Sequence, residues 1–100
     1  SKGKYYSGKY IESFILNNNK KCNYLGLAIN TKIAKAVRRN KIKRLIRENY
    51  KELENGIFSG KSIVFLWKKN VNIENATFVN IKNDMEYIFD KAKIKEDKGI

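Results

Sequence analysis

The chain has 100 residues, which suits one small domain with a modest hydrophobic core. Its 42% hydrophobic content excludes a disordered chain. With 22 Lys and Arg against 10 Asp and Glu, the net charge is +12, and an excess of this size points to a polyanionic partner, usually nucleic acid.

The first predicted element is a β-strand at residues 9–16, KYIESFIL, which is rich in β-branched and aromatic residues. Alternation divides its side chains between two faces, one with Ile11, Ser13 and Ile15 and the other with Tyr10, Glu12, Phe14 and Leu16. On the second face Phe14 could stack on a nucleobase or be covered by a helix, and the pattern leaves both open.

A second strand is predicted at residues 24–30, YLGLAIN, after the turn-forming stretch NNNKKCN. Leu25, Leu27 and Ile29 share one face, which we assign to the core. Gly26 and Ala28 make the opposite face shallow, so a partner's backbone can approach closely there.

The basic segment that follows is predicted to be an irregular lead-in at 31–36 and a helix at 37–55, ending at Gly56. One helical side carries Ile42, Leu45, Ile46, Asn49 and Leu53, and the opposite side carries Asn40, Lys43, Arg44, Arg47 and Lys51. Arg39, Lys43 and Arg47 recur every four residues and form a ridge along one flank.

The charges of this helix work against its own stability. Eight of the sixteen residues at 32–47 are basic and none is acidic, while Glu48, Glu52 and Glu54 lie near the C-terminal end. Like charges four residues apart repel, and the helix dipole disfavours acids at that end. The segment is either an ordinary solvated face or a surface that a bound anion stabilises, and the charge of the whole chain favours the anion.

The remaining elements are a strand at 61–67, KSIVFLW, predicted to be buried on both faces, and an amphipathic helix at 74–92. The order β-β-α-β-α predicts an α+β fold, an α/β sandwich with helices packed on a sheet. We expect a single domain over 1–100, with a frayed tail at about 95–100.

Several function classes are excluded or disfavoured. The chain has no His, no metal-ligand cluster and no phosphate-cradling glycine loop, so catalysis by its own side chains is not expected. It also has no signal peptide and no apolar run long enough to cross a bilayer. The single Cys22 excludes an intrachain disulfide, and a cytoplasmic location without a membrane partner is expected.

The central block resembles the protein component of bacterial ribonuclease P, whose signature runs approximately A-V-x-R-N-R-x-K-R-x-x-R-E. The matching positions are Ala36, Val37, Arg39, Asn40, Lys41, Lys43, Arg44, Arg47 and Glu48. A preceding pattern, G-L-x-[VI]-x-x-K-x-x-x-A-V, is met by Gly26, Leu27, Ile29, Lys32, Ala36 and Val37. Position 41 departs from the signature, since lysine keeps the charge of arginine without its bidentate geometry.

The resemblance implies a fold and a function. The basic helix is expected to lie in an unusual left-handed βαβ crossover, and the family's usual N-terminal helix, which forms one wall of a cleft, is expected to be absent. The protein would assist a catalytic RNA subunit in removing the 5′ leader of precursor tRNA. It would thus be part of an endoribonuclease in which the RNA performs the hydrolysis and holds the Mg²⁺.

The resemblance also implies two sets of contact residues. Contacts with the RNA subunit are expected at Arg39, Asn40, Lys41, Lys43, Arg44 and Arg47. A cleft for the leader is expected at Phe14, Glu12, Asn30 and Lys32. The main alternative is a structural, ribosomal-type RNA-binding protein without a role in tRNA processing. A duplex-DNA reader is disfavoured because no helix-turn-helix partner is recognisable.

Overall fold

The computed structural model describes residues 3–32 and 34–95. In chain order the strands and helices are β1 (Lys4–Ser7), β2 (Ile11–Asn17), β3 (Tyr24–Leu27), α1 (Ala36–Leu53), β4 (Lys61–Trp67) and α2 (Phe78–Lys91). Two 3-10 turns lie at Glu54–Gly56 and Ile73–Asn75. The α+β class is confirmed. The predicted order β-β-α-β-α omits β1, whose four residues are too few to show an alternating pattern.

The four strands form one sheet in the order β1-β2-β4-β3. β1 pairs antiparallel with β2, and β2 pairs antiparallel with the central strand β4. β3 pairs parallel with β4, so the chain crosses from one strand to the other through α1. β3, α1 and β4 therefore form a βαβ crossover that contains the basic helix.

Both helices pack on the same face of the sheet. The core joins Ile11 and Ile15 of β2 and Ile63, Phe65 and Trp67 of β4 to the apolar sides of α1 and α2. The prediction that β4 is buried on both faces is wrong, because Val64 and Leu66 are only half-buried. Among the residues that the structure describes, no helix covers the opposite face of the sheet.

The two helices are joined by Asn49, a buried residue of α1. Its Nδ2 donates to the carbonyl oxygen of Leu45, at 3.0 Å, and to that of Phe78 at the start of α2, at 3.1 Å. Burial and the neighbouring Glu54 carboxylate raise the pKa of the Tyr50 phenol, which donates to Glu54 at 3.1 Å. The bond from Asn49 to Phe78 fixes the C-terminal half of α1 against α2, and the bond from Tyr50 to Glu54 holds the end of α1 to the 3-10 turn that follows.

The turn between β1 and β2 is held by Asp84 of α2, which is buried. Its carboxylate accepts hydrogen bonds from the backbone N–H groups of Lys9, Tyr10 and Ile11, at 2.9, 2.6 and 2.9 Å. Gly8 is required here, because a Cβ atom at that position would lie 2.7 Å from Cγ of Asp84. One carboxylate therefore connects the first hairpin to the last helix.

The boundaries of the elements differ from the predictions by a few residues. β3 ends at Leu27 instead of at residue 30, and α2 begins at Phe78 because residues 73–75 form a 3-10 turn. α1 ends at Leu53, and Gly56 closes the 3-10 turn that follows. The irregular lead-in is confirmed at Thr31, Lys32, Ala34 and Lys35, but Ala36, which was predicted to belong to it, is the first residue of α1.

The predicted tail begins with Lys95, which forms an isolated bridge with Ile57, and residues 96–100 lie outside the described part of the chain. Over the described residues, no helix combines the length and the apolar character that a membrane crossing requires.

Candidate RNA interface

The basic helix α1 buries one side and exposes its charges on the other. Its buried residues are Ile42, Leu45, Ile46, Asn49 and Tyr50. The predicted contact residues Asn40, Lys41, Arg44 and Arg47 are exposed, while Arg39 and Lys43 are half-buried. The structure therefore exposes four of the six predicted RNA contacts on α1, and it places Arg39 and Lys43 closer to the core.

Little within the protein neutralises this surface. Arg44 and Glu48 form the one ion pair within 4.0 Å that the described residues show, with 3.7 Å between Nε and Oε1. Their side chains are 64% and 51% exposed, so solvent screens the attraction and the pair contributes little. The other cations of the surface are available to an external anion.

Arg39 has a structural role in addition to the RNA contact predicted for it. Its Nη1 donates to the carbonyl oxygen of Ala34, at 2.6 Å, and to that of Thr31, at 3.3 Å. The guanidinium thus ties the irregular lead-in to the first turn of α1. The RNA contact at Arg39 stays a prediction, and the other N–H groups of the guanidinium would have to form it.

The face of the sheet away from the helices carries a row of exposed apolar side chains. Phe14 is 43% exposed and packs against Tyr5, with 5.3 Å between ring centroids and a tilt of 55°. A Cβ atom on Gly26 would lie 3.3 Å from Val64, so this glycine keeps the face shallow. Of the two interpretations of Phe14, stacking on a nucleobase stays a prediction, and the exposure of the ring leaves room for it. Cover by a helix is wrong for the described residues.

Tyr5 also lies exposed on this face, whereas the sequence alone leaves open whether it belongs to the core or to an RNA-stacking surface. Its phenol donates a hydrogen bond to the carboxylate of Glu12, and this bond raises the pKa of the phenol. The pairing of Tyr5 with Phe14 depends on β1 and its register with β2. Because the predicted elements do not include β1, the sequence alone does not place Tyr5 beside Phe14.

The four residues predicted for the leader cleft do not lie in a single depression. Phe14 and Glu12 lie on the open face of the sheet. Asn30 and Lys32 follow the end of β3, where Asn30 Oδ1 accepts from the N–H of Lys32 at 2.8 Å. Both line a depression with the loop 69–73, and neither Phe14 nor Glu12 lines it. The structure thus brings these residues together in two pairs.

Because the charges on α1 repel one another, a divalent anion should stabilise the fold. We expect sulfate to raise the free energy of unfolding by about 1–3 kcal/mol over chloride at matched ionic strength, since an anion that binds only the folded state shifts the equilibrium. Thermal unfolding followed by circular dichroism measures the effect. Equal stability in the two salts would show that the repulsion is too weak to matter.

The chain matches known proteins over most of its length. The family profile described as Ribonuclease P matches residues 1–93. The ribonuclease P protein component of Clostridioides difficile is 31% identical over 93 residues, which cover 92% of this chain and 80% of that protein. The component from Clostridium kluyveri is 33% identical over 97 residues, covering 91% and 81%.

Solved structures agree in fold as well as in sequence. The RNase P protein of Staphylococcus aureus superimposes with a TM-score of 0.80 and 30% identity, covering 95% of this chain and 85% of that one. The RNase P protein of Thermotoga maritima gives a TM-score of 0.81 and 26% identity, covering 90% and 84%. The chain therefore belongs to the ribonuclease P protein family, and the predicted role of a ribonuclease P subunit in tRNA processing is confirmed.

Proposed function

We propose that the chain binds the catalytic RNA subunit of ribonuclease P through the exposed side of α1 and the 5′ leader of precursor tRNA on the open face of the sheet. The observation that carries the proposal is the exposed cluster on α1, where Arg44 has the single ion pair seen in the described residues. Phosphates of an RNA would neutralise this cluster and release counterions.

In this proposal the RNA performs the endonucleolytic cleavage and holds the Mg²⁺ of the holoenzyme. No three His, Cys, Asp or Glu side chains are grouped as metal ligands anywhere in residues 3–32 and 34–95. We expect no DNA partner, because α1 follows a strand instead of the first helix of a helix-turn-helix unit. The setting that we propose is the cytoplasm.

Reconstitution tests the function as a whole. Adding the protein to a bacterial ribonuclease P RNA is expected to lower the Mg²⁺ concentration needed to cleave precursor tRNA, because the cations of the protein reduce repulsion between the RNAs. Cleavage that needs the same Mg²⁺ with and without the protein would contradict the proposal and would favour a purely structural RNA-binding role.

The leader site makes a separate prediction at Phe14. Replacing Phe14 by alanine is expected to raise the Kd of the holoenzyme for precursor tRNA with a long leader about 5- to 30-fold, since stacking of a base on an aromatic side chain contributes about 1–2 kcal/mol. The affinity for tRNA without a leader should not change. Fluorescence anisotropy with end-labelled RNA gives both values.

Phe58→Ala is the matched control. Phe58 is 48% exposed, close to the exposure of Phe14, but it follows α1 and its N–H pairs with the carbonyl oxygen of Ile94, away from the open face. If the two variants lose affinity equally, or if the loss at Phe14 persists without a leader, the open face is not the leader site.

A further inference from the structure

The outer face of α2 carries a row of exposed side chains. Val79, Asn83 and Tyr87 are spaced by four residues, so they lie one above another along the helix. Val79 is 61% exposed and Tyr87 is 51% exposed, and Asn83 between them is exposed as well. We define these three side chains as the α2 row. Its two ends thus present an aliphatic and an aromatic group to solvent.

The charge of α2 sets this face apart from the basic half of α1. Between Phe78 and Lys91 the helix has two lysines and three acids, in a chain whose net charge is +12. One of those acids, Asp84, is buried, so the charges left at the surface of α2 balance. A polyanion gains little attraction here, whereas a protein surface of mixed charge meets no repulsion.

We propose that the α2 row is an interface between two copies of this chain, which pack their α2 helices antiparallel about a twofold axis. When the axis passes level with Asn83, the residues four positions before it and four positions after it exchange places. Val79 of each copy then lies level with Tyr87 of the other, so an aromatic ring can cover each exposed aliphatic group. The row is therefore complementary to itself, as a twofold contact requires.

The charges beside the α2 row fit the same arrangement. Lys82 and Glu86 are half-buried on one flank of the row. An antiparallel twofold contact brings like flanks together, so Lys82 of each copy lies within one helical turn of Glu86 of the other. Neither side chain has an oppositely charged partner within 4.0 Å over the part of the chain that the structure describes. The contact thus forms two ion pairs from groups that are unpaired there.

The strength of the contact follows from its size and from the charge of the whole chain. One helix from each copy makes an interface at or below the roughly 1,200–2,000 Å² of stable complexes, so we expect a Kd on the order of 100 μM. Each copy carries +12, and the two copies therefore repel. Salt screens this repulsion, so self-association should strengthen as salt rises, which is opposite to the salt dependence of RNA binding.

The inference goes beyond the proposed function and does not rest on it. Both helices pack on the same face of the sheet, so α2 and the open face lie on opposite sides of the molecule. A pair formed through α2 leaves Phe14 and the rest of the open face exposed.

The test is Tyr87→Ser, with Tyr24→Ser as the matched control. Tyr24 is 53% exposed, close to the exposure of Tyr87, but it lies on the edge strand β3. Tyr87→Ser is expected to weaken self-association at least about tenfold, because it removes the aromatic group at both ends of the contact. Tyr24→Ser should leave it unchanged. Sedimentation velocity over a wide range of protein concentration gives the Kd, and circular dichroism confirms that each variant is folded.

Charge reversal on the flank tests the twofold geometry separately. Lys82→Glu and Glu86→Lys change the net charge in opposite directions, yet each alone should weaken self-association about two- to fivefold, since each places like charges together across the contact. The double variant should restore the Kd of the unchanged chain. If one single reversal strengthens association and the other weakens it, net charge alone governs the contact and the twofold pairing is wrong.

Two further outcomes would refute the interface on α2. One is a chain that stays monomeric at every concentration, in high salt as well as in low salt. The other is an equal loss in Tyr24→Ser and Tyr87→Ser, which would place the contact elsewhere. RNA affinity is measured independently in both cases, so the proposed function would stand.

Discussion

The double variant Arg44→Ala/Arg47→Ala is expected to bind a bacterial ribonuclease P RNA about 100-fold more weakly than the unchanged protein. Both guanidinium groups are exposed on α1, and the single carboxylate near Arg44 is itself half-exposed. Each arginine can grip a phosphate bidentately, and the loss of two such contacts removes about 2.7 kcal/mol of binding free energy. The slope of log K against log salt should fall by about two.

Filter binding over a series of salt concentrations measures both quantities. Lys20→Ala/Lys21→Ala removes the same charge from the exposed turn between β2 and β3 and serves as the control. If this control weakens binding as much, the effect comes from net charge alone and α1 is not the contact surface. Arg39 is left unchanged in this test because its replacement would also release the lead-in at Thr31 and Ala34.

Replacing Asp84 by alanine is expected to lower the free energy of unfolding by about 3–5 kcal/mol. The carboxylate accepts three backbone N–H groups of the β1–β2 turn, and these donors would be left in a part-buried site without partners. Asn at this position keeps one acceptor oxygen, so Asp84→Asn should lose less. Urea denaturation followed by circular dichroism gives the two values.

Two further variants make this test specific. Asp90→Ala, an exposed position on the same helix, should change stability by no more than about 0.5 kcal/mol. Gly8→Ala should be destabilising alone, because its Cβ would meet Asp84, and nearly neutral when Asp84 is already alanine. If the two changes add without coupling, the close approach of Gly8 to Asp84 does not determine the stability of this turn.

The sequence predicts well whatever depends on local periodicity. Ile42, Leu45 and Ile46 repeat at helical spacing, so the buried side of α1 was predictable, and the exposed charges follow from it. Phe14 alternates with Ile11, Ser13 and Ile15, which placed it on the face opposite the core. These two predictions depend only on the spacing of residues that are close together in the sequence.

Features that depend on pairing between distant segments were not predictable in the same way. Tyr5 meets Phe14 only through the register of β1 and β2. Lys69 joins Lys32 only because β3 and β4 run parallel. Nothing near Asp84 in the sequence indicates the turn that its carboxylate holds. In each case the missing information is a tertiary contact.

The order of the strands has a consequence for self-association. The open face carries exposed aromatic side chains, and such a surface invites pairing between copies through free strand edges. Both edge strands, β1 and β3, have only four residues, and β1 begins with the charged Lys4. Such short edges, one of them with a charged residue, give another copy little length on which to add a strand, so the open face can stay exposed without promoting aggregation.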